Sequence, residues 1–301
     1  MAASDDRPGE PAPTDATSGF AIGFVGLGSI GRPMVESMLR AGVPTVVFDL
    51  DRAVVDELAA LGAEPADDLA SLAAATSVVG VCVPADAHVR AVLDGPDGLL
   101  AHLPAGSTVA IHSTVRPETI AWAADTAAAH GTTVVEAALT GGFMAAAEGR
   151  STVLLGGDEA DFAPLEPLLD ACSAARIHAG PLGSAVRLKL CLNLQTYVTF
   201  AGVFEAARTA KAVGLGLDPL LAAMRANGQL PEMVEGYLIL HQLSDRDLDA
   251  MQDQLAGYAA IIEKDLGLIA ELAAAAGVDI PAAELARSRA GTVYFHRGDD
   301  R

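Results

Sequence analysis

Lys189 and Asn193 stand one helical turn apart, so a helix through them carries both side chains on one face. Leu188, Leu190, Cys191, Leu192 and Leu194 surround the pair, and Arg187 is the other charge close by. A lysine in so apolar a stretch loses hydration, and desolvation lowers its pKa toward the range where it takes up and releases a proton near neutral pH. Asn193, with two N–H donors and one carbonyl acceptor, can orient that lysine or a polar reactant. The pair is suited to passing a proton to or from an oxygen. Oxidising an alcohol with a hydride carrier requires such a step, because the carrier itself supplies no proton.

The amino-terminal part of the chain holds a pattern that fits such a carrier. Gly26-Leu27-Gly28-Ser29-Ile30-Gly31 follows the apolar run Phe20-Ala21-Ile22-Gly23-Phe24-Val25, and a second apolar run ends in Asp49. This order predicts a strand, a glycine turn, a helix starting near Ser29 with Pro33 in its first turn, and a second strand. The first glycine permits a tight turn, the second lets a diphosphate approach the backbone, and the third lets helix and strand pack closely. The helix then aims its free N–H groups and positive dipole end at the phosphates. A carboxylate at Asp49 can accept both ribose hydroxyls of an adenosine and would repel a 2′-phosphate. The expected cofactor is therefore NAD, with NADP kept open by Arg52 nearby.

The elements that must hold these residues follow from composition and periodicity. The chain has 301 residues, 51% hydrophobic and 4% aromatic, enough for a sizeable core of closely packed helices and a parallel sheet. A formal net charge of −20 disfavours nucleic acid and anionic membrane surfaces as partners. Cys82, Cys172 and Cys191 are widely spaced in apolar stretches and read as reduced core residues, and no His or Cys spacing suggests a metal. Residues 1–19 read as a disordered acidic tail without the features of a signal peptide, which makes the expected location cytoplasmic. His112, near a strand end, reads as structural.

A helix is expected from Asp51 to Leu61, and strands at Ser77 to Val83, Thr108 to Ile111, Thr132 to Val135, Thr152 to Leu155 and Arg176 to His178. Helical segments between them predict an α/β fold, a doubly wound Rossmann-type parallel sheet with every strand's carboxyl end on one edge, where ligands bind. From Gly183 onward strand signals cease. Ser184 to Val213 reads as one long helix, its stretch from Leu190 to Phe204 a buried one, and Ala250 to Ala276 as another. The division expected is a dinucleotide-binding unit over 20–182 and an all-α unit over 183–301 that serves substrate and oligomer. The long apolar helices exceed what one chain can bury.

The chain resembles the β-hydroxyacid dehydrogenase family, which includes 3-hydroxyisobutyrate dehydrogenase and tartronate semialdehyde reductase. The likeness runs nearly end to end, from the opening Gly23 to Met34 through Val83-Pro84, Ser113-Thr114, Thr140-Gly141-Gly142, Gly180 to Asn193 and Lys264-Asp265-Leu266. It implies that Val83, Pro84 and Thr114 lie along the nicotinamide half of the cofactor, that Ser113 and Thr140-Gly141-Gly142 bind substrate, and that Lys189 and Asn193 are catalytic. It further implies that Lys264 reaches cofactor and substrate, and that the protein is a homodimer or homotetramer. Thr140, Gly141 and Gly142 would present a hydroxyl and open N–H groups to a substrate carboxylate.

The chain departs from that pattern near the substrate. Thr140 stands where the family has Ser, Glu136-Ala137-Ala138 where it has Asp-Xaa-Pro, and Phe143-Met144 make the pocket wall bulkier and more apolar. The expected activity is hydride transfer between NAD and a small 3-hydroxy acid, or a 2-hydroxy acid, and its semialdehyde or oxo form. An NADPH-dependent imine reductase shares this architecture, but Lys189 and Asp49 argue against it. A non-catalytic nicotinamide-sensing module is the other alternative, and the lysine–asparagine pair argues against that.

Overall fold

The computed structural model describes residues 21–239 and 245–290; the expected acidic tail lies outside them. Eight strands form one sheet: β1 (Ile22–Val25), β2 (Thr45–Phe48), β3 (Glu64–Pro65), β4 (Val78–Val81), β5 (Thr108–Ile111), β6 (Thr133–Thr140), β7 (Ser151–Gly156) and β8 (Ser173–Gly180). Their order is β3-β2-β1-β4-β5-β6-β7-β8. Strands β1 to β6 are mutually parallel; all but the short, exposed edge strand β3 are buried, as their apolar runs require.

One register row crosses the sheet through Phe48, Val25, Val81, Ile111, Glu136, Gly156 and Gly180. Gly26, Asp49, Cys82 and His112 each follow a member of that row directly, and Val83, Ser113 and Thr114 come one or two positions later. The sheet therefore places its candidate site residues along one edge. Strand β6 continues past the row for four residues and ends at Thr140.

The expectation of a uniformly parallel sheet needs correction. Strand β7 runs antiparallel to β6, and β8 is parallel to β7, so the last two strands run opposite to the rest. Only residues 141–150 join β6 to β7, too few for a right-handed crossover, which takes a dozen or more.

Helices α1 (Gly31–Arg40), α2 (Arg52–Ala60) and, later in the chain, α7 (Glu166–Cys172) cover one face with Phe24, Val47, Ala110 and Val135. Helices α3 (Leu69–Ala75), α4 (Asp86–Leu93) and α5 (Pro117–Ala128) share the opposite face with Val25, Val81 and Ile111; α6 (Gly142–Ala147) follows β6. After β8 the described residues are helical: α8 (Ser184–Ala212), α9 (Leu217–Ala226), α10 (Glu232–Ile239), α11 (Asp245–Ala250), α12 (Gln252–Ala275) and α13 (Pro281–Ser288). Their buried residues, among them Leu190, Phe200, Leu266 and Ile269, join the second face in one continuous core. Each fully buried Leu or Ile contributes about 1.5–3 kcal/mol.

Helix α8 is not the wholly buried helix expected. Leu190, Asn193, Phe200, Val203 and Phe204 face inward, whereas Cys191 and Leu192 are exposed. Cys191 is therefore not a core residue; an apolar run all round a helix does not reveal which face the neighbours cover. Cys172 is buried and Cys82 half-buried, and all three thiols are free. No helix among the described residues is long and apolar enough to cross a membrane.

Candidate active site

The glycine loop is fixed by backbone contacts. Gly26 has φ +93°, and a Cβ added there would lie 2.3 Å from the Cys82 carbonyl oxygen; one at Gly31 would lie 1.9 Å from the Gly26 oxygen. Gly28 differs, since a Cβ there meets nothing within 4 Å. Protein packing does not demand glycine at 28, and the open space suits a diphosphate drawn close to the main chain. Exposed Ser29 follows, half-buried Ile30 precedes α1 without a side-chain cap, and the first turn of α1 carries no acid. The Arg32 N–H donates to the Gly28 carbonyl and that of Met34 to Ile30, so the N–H groups available to an anion are those of Ser29, Ile30 and Gly31. The residues present fit a nicotinamide dinucleotide.

Asp49 accepts the Leu27 N–H at 2.6 Å and the Asp51 N–H at 2.9 Å. One carboxylate thereby locks the end of β2 to the glycine loop. Arg52 directs its guanidinium to the Ala66 carbonyl at 3.0 Å and toward Asp67 at 3.7 Å. Farther along the row, the Val83 N–H donates to Ser113 Oγ at 2.8 Å, tying the Val83-Pro84 step to the end of β5. Ser113 is buried and Pro84 exposed. His112 Nδ1 donates to the Ala137 carbonyl at 2.7 Å, so Nδ1 carries the proton, and its ring stacks on Phe24. Burial holds its pKa down at about 4 despite that hydrogen bond, so the imidazole is neutral.

The helical side of the site converges on Asp265, which is buried on α12. Asn193 Nδ2 donates to Asp265 Oδ2 at 2.7 Å and the Tyr197 hydroxyl donates to the same atom at 2.8 Å. Lys264 Nζ lies 3.0 Å from Asp265 Oδ1 without hydrogen-bond geometry, and donates instead to the Thr114 carbonyl at 2.7 Å. The chain of contacts from Val83 through Ser113-Thr114 to Lys264, Asp265 and Asn193 brings the predicted residues of sheet and helices together. Lys189, one turn before Asn193, has no hydrogen-bond partner among the described residues. Desolvation pulls its pKa from 10.5 to about 8; Asp265 opposes that shift and Lys264 adds to it.

Thr140, Gly141 and Gly142 are not tied to this cluster by hydrogen bonds among the described residues. They end β6 and open α6, with Gly141 at φ +119° and Gly142 at φ +75°. Phe143 and Met144 follow, both exposed.

Three groups escaped the sequence reading. Tyr197 continues the four-residue spacing of Lys189 and Asn193, a visible signal. Asp265 adjoins Lys264 in the quoted Lys-Asp-Leu triplet, yet only the lysine received a role. Arg116 follows the Ser-Thr pair by two residues and pairs with Asp86 at 2.8 Å and with Glu271 of α12 at 2.7 Å, a link no local pattern announces.

Residues 21–180 match the NAD-binding domain of 6-phosphogluconate dehydrogenase. With the open glycine loop, that match defines the class as a nicotinamide-dependent oxidoreductase. An NAD-dependent L-serine dehydrogenase of Pseudomonas aeruginosa is 34% identical over 268 residues, which cover 89% of this chain and 90% of that one. The crystal structure of a 3-hydroxyisobutyrate dehydrogenase from Salmonella typhimurium superposes with a TM-score of 0.77 at 29% identity, over 91% of this chain and 93% of that one. Psf3 in complex with NADP+ and 2-OPP gives a TM-score of 0.79 at 26% identity, over 90% and 93% of the two chains. The chain belongs to the β-hydroxyacid dehydrogenase family. It is an NAD(P)-dependent dehydrogenase.

Proposed function

We propose that the protein oxidises a small 3-hydroxy acid, or a related 2-hydroxy acid, to its semialdehyde or oxo form with NAD, using Lys189 as the general base. The observation that carries this reading is the unbonded Lys189 amine beside a fixed Asn193–Asp265 pair, linked through Lys264 to the sheet edge at Thr114. The L-serine and 3-hydroxyisobutyrate in its relatives' names are both small 3-hydroxy acids, which supports the substrate class.

Bound NAD would accept the hydride. Gly26, Leu27, Gly28, Ser29, Ile30 and Gly31 would hold its diphosphate, Asp49 its adenosine ribose, and Val83, Pro84, Thr114 and Lys264 its nicotinamide half. Lys189 Nζ would take the proton from the substrate hydroxyl, and Asn193, held by Asp265, would orient that hydroxyl. Ser113 and the Thr140-Gly141-Gly142 segment would position the substrate. Asp49 disfavours a 2′-phosphate, and Arg52 is turned away to Ala66, which supports NAD over NADP.

We assign two working units, a dinucleotide-binding one over 20–182 and an all-α one over 183–301. Exposed Leu192 on α8 and Ile261 on α12 support a homodimer or homotetramer, and the free thiols suit a cytoplasmic enzyme.

Lys189→Ala tests the reading. Turnover should fall roughly 10²–10⁴-fold, the range of general acid–base catalysis, with NAD affinity within twofold of the parent. A base must be neutral to accept a proton, so kcat for oxidation should drop as pH falls below about 8, and the reverse reaction should fade above it. A panel of hydroxy acids with NAD and NADP in parallel, followed by absorbance of the reduced cofactor, makes the measurement; an active Lys189→Ala enzyme would reject the assignment.

A further inference from the structure

Helix α8 carries Lys189, yet its N-cap, Gly183, has no side chain to satisfy the first-turn N–H groups. Those groups are met from elsewhere. Glu136, 1% exposed on β6, accepts the Gly183 N–H through Oε2 at 2.5 Å and the Val186 N–H through Oε1 at 2.8 Å. Both oxygens are used, and a negative charge at a helix N-terminus is favourable.

The neighbouring strand makes room for this contact. Gly156 pairs with Glu136 across β6 and β7, and a Cβ there would fall 2.2 Å from Glu136 Oε2. Gly156 has no positive φ that would call for glycine, so the space its hydrogen leaves is the space the carboxylate fills. Lys189 follows Val186 by three residues, and Thr140 follows Glu136 by four.

We infer that Glu136 is a positioning residue: from β6 it fixes the first turn of α8, and through that turn it sets where Lys189 stands relative to Thr140 at the end of the same strand. The inference rests on the reading of Lys189 as the proton-transfer group. Glu136 itself touches no reactant. Its carboxyl is raised above the usual range by desolvation, which the amides of Val186, Gly183 and Ala185 and the charge of Arg187 only partly offset.

Two substitutions in the full-length protein perturb the contact differently. Glu136→Gln keeps the shape and removes the charge, presenting an amide NH2 to one of the backbone N–H groups. Gly156→Ala keeps the charge and displaces it, and carries the same test should the first variant fail to fold. The titration of Lys189, read by mass spectrometry after trace acetylation with acetic anhydride over a pH series, needs no substrate.

The parent should titrate at about 8, and either variant should move toward 10.5 as water reaches the ammonium. A purely stabilising role would lower Tm and leave that titration where it was, which would overturn the inference. In turnover, Glu136→Gln should lower kcat about tenfold with NAD affinity unchanged, and should have no further effect in a Lys189→Ala background. Multiplying losses in the double variant would also overturn it. An active Lys189→Ala enzyme would instead refute the proposed base while the labelling result on Glu136 stood.

Discussion

The two halves of the site are held by different kinds of contact. On the sheet side, the glycine loop sits against main-chain oxygens, and carboxylate or hydroxyl groups at Asp49 and Ser113 accept backbone N–H groups. On the helical side, Asn193, Tyr197 and Lys264 meet one buried carboxylate, side chain to side chain. The first half is set by shape and admits no extra atom at Gly26 or Gly31; the second is set by charge, with Asp265 and Lys264 pushing the Lys189 pKa in opposite directions.

The largest effect should come from forcing an atom into the sheet side. Gly31→Ala puts a Cβ against the Gly26 carbonyl and should cost about 3 kcal/mol, measured by urea unfolding. Gly28→Ala meets no protein atom, so its unfolding curve should match the parent while its KM for NAD rises. Equal destabilisation by the two would erase the distinction between a packed and a ligand-facing glycine.

His112 is the exception on the sheet side, a titratable ring held by packing. Its folded pKa of about 4 lies below the ordinary 6.5, so its contribution to stability is complete above pH 6.5 and is lost as pH falls toward 4. Over that window the parent should lose about 3 kcal/mol more than His112→Asn, which keeps an N–H for Ala137 but cannot titrate. Parallel pH–stability curves for the two proteins would count against it.

Asp265→Asn probes the helical side. It should leave the fold intact, lower kcat about tenfold to hundredfold by loosening Asn193, and move the kcat limb to a pH lower than the parent's, because Asp265 holds the Lys189 pKa up. A limb that stays in place would uncouple the two residues. Smallest should be Arg116→Ala. Arg116 bridges sheet and helical regions through Asp86 and Glu271, but the guanidinium and Glu271 are solvent-screened, and the loss should stay under about 1 kcal/mol in thermal unfolding.

The same contrast explains what the sequence made legible. Glycines betray the backbone conformations and close approaches that demand them, so the loop, the strand–helix order and Asp49 could be read directly. The helix that carries Lys189 and Asn193 one turn apart was readable from its apolar run. The reversal of β7 was not, because strand direction depends on how far ten residues can travel, and Val- and Leu-rich strands look alike either way. Glu136 was noticed as a departure, but its role depends on α8 arriving 47 residues later, and Asp265 lies 72 residues beyond the asparagine it binds. Contacts between distant segments leave no local period.

Lys264 reaches the carbonyl of Thr114, not its hydroxyl. A main-chain oxygen is present whatever residue occupies 114, so the tether between helix α12 and the sheet edge survives any replacement that keeps the local backbone path. Position 114 is thus open to redesign for altered reactants without untying the two regions, and the lysine is the partner that cannot be exchanged.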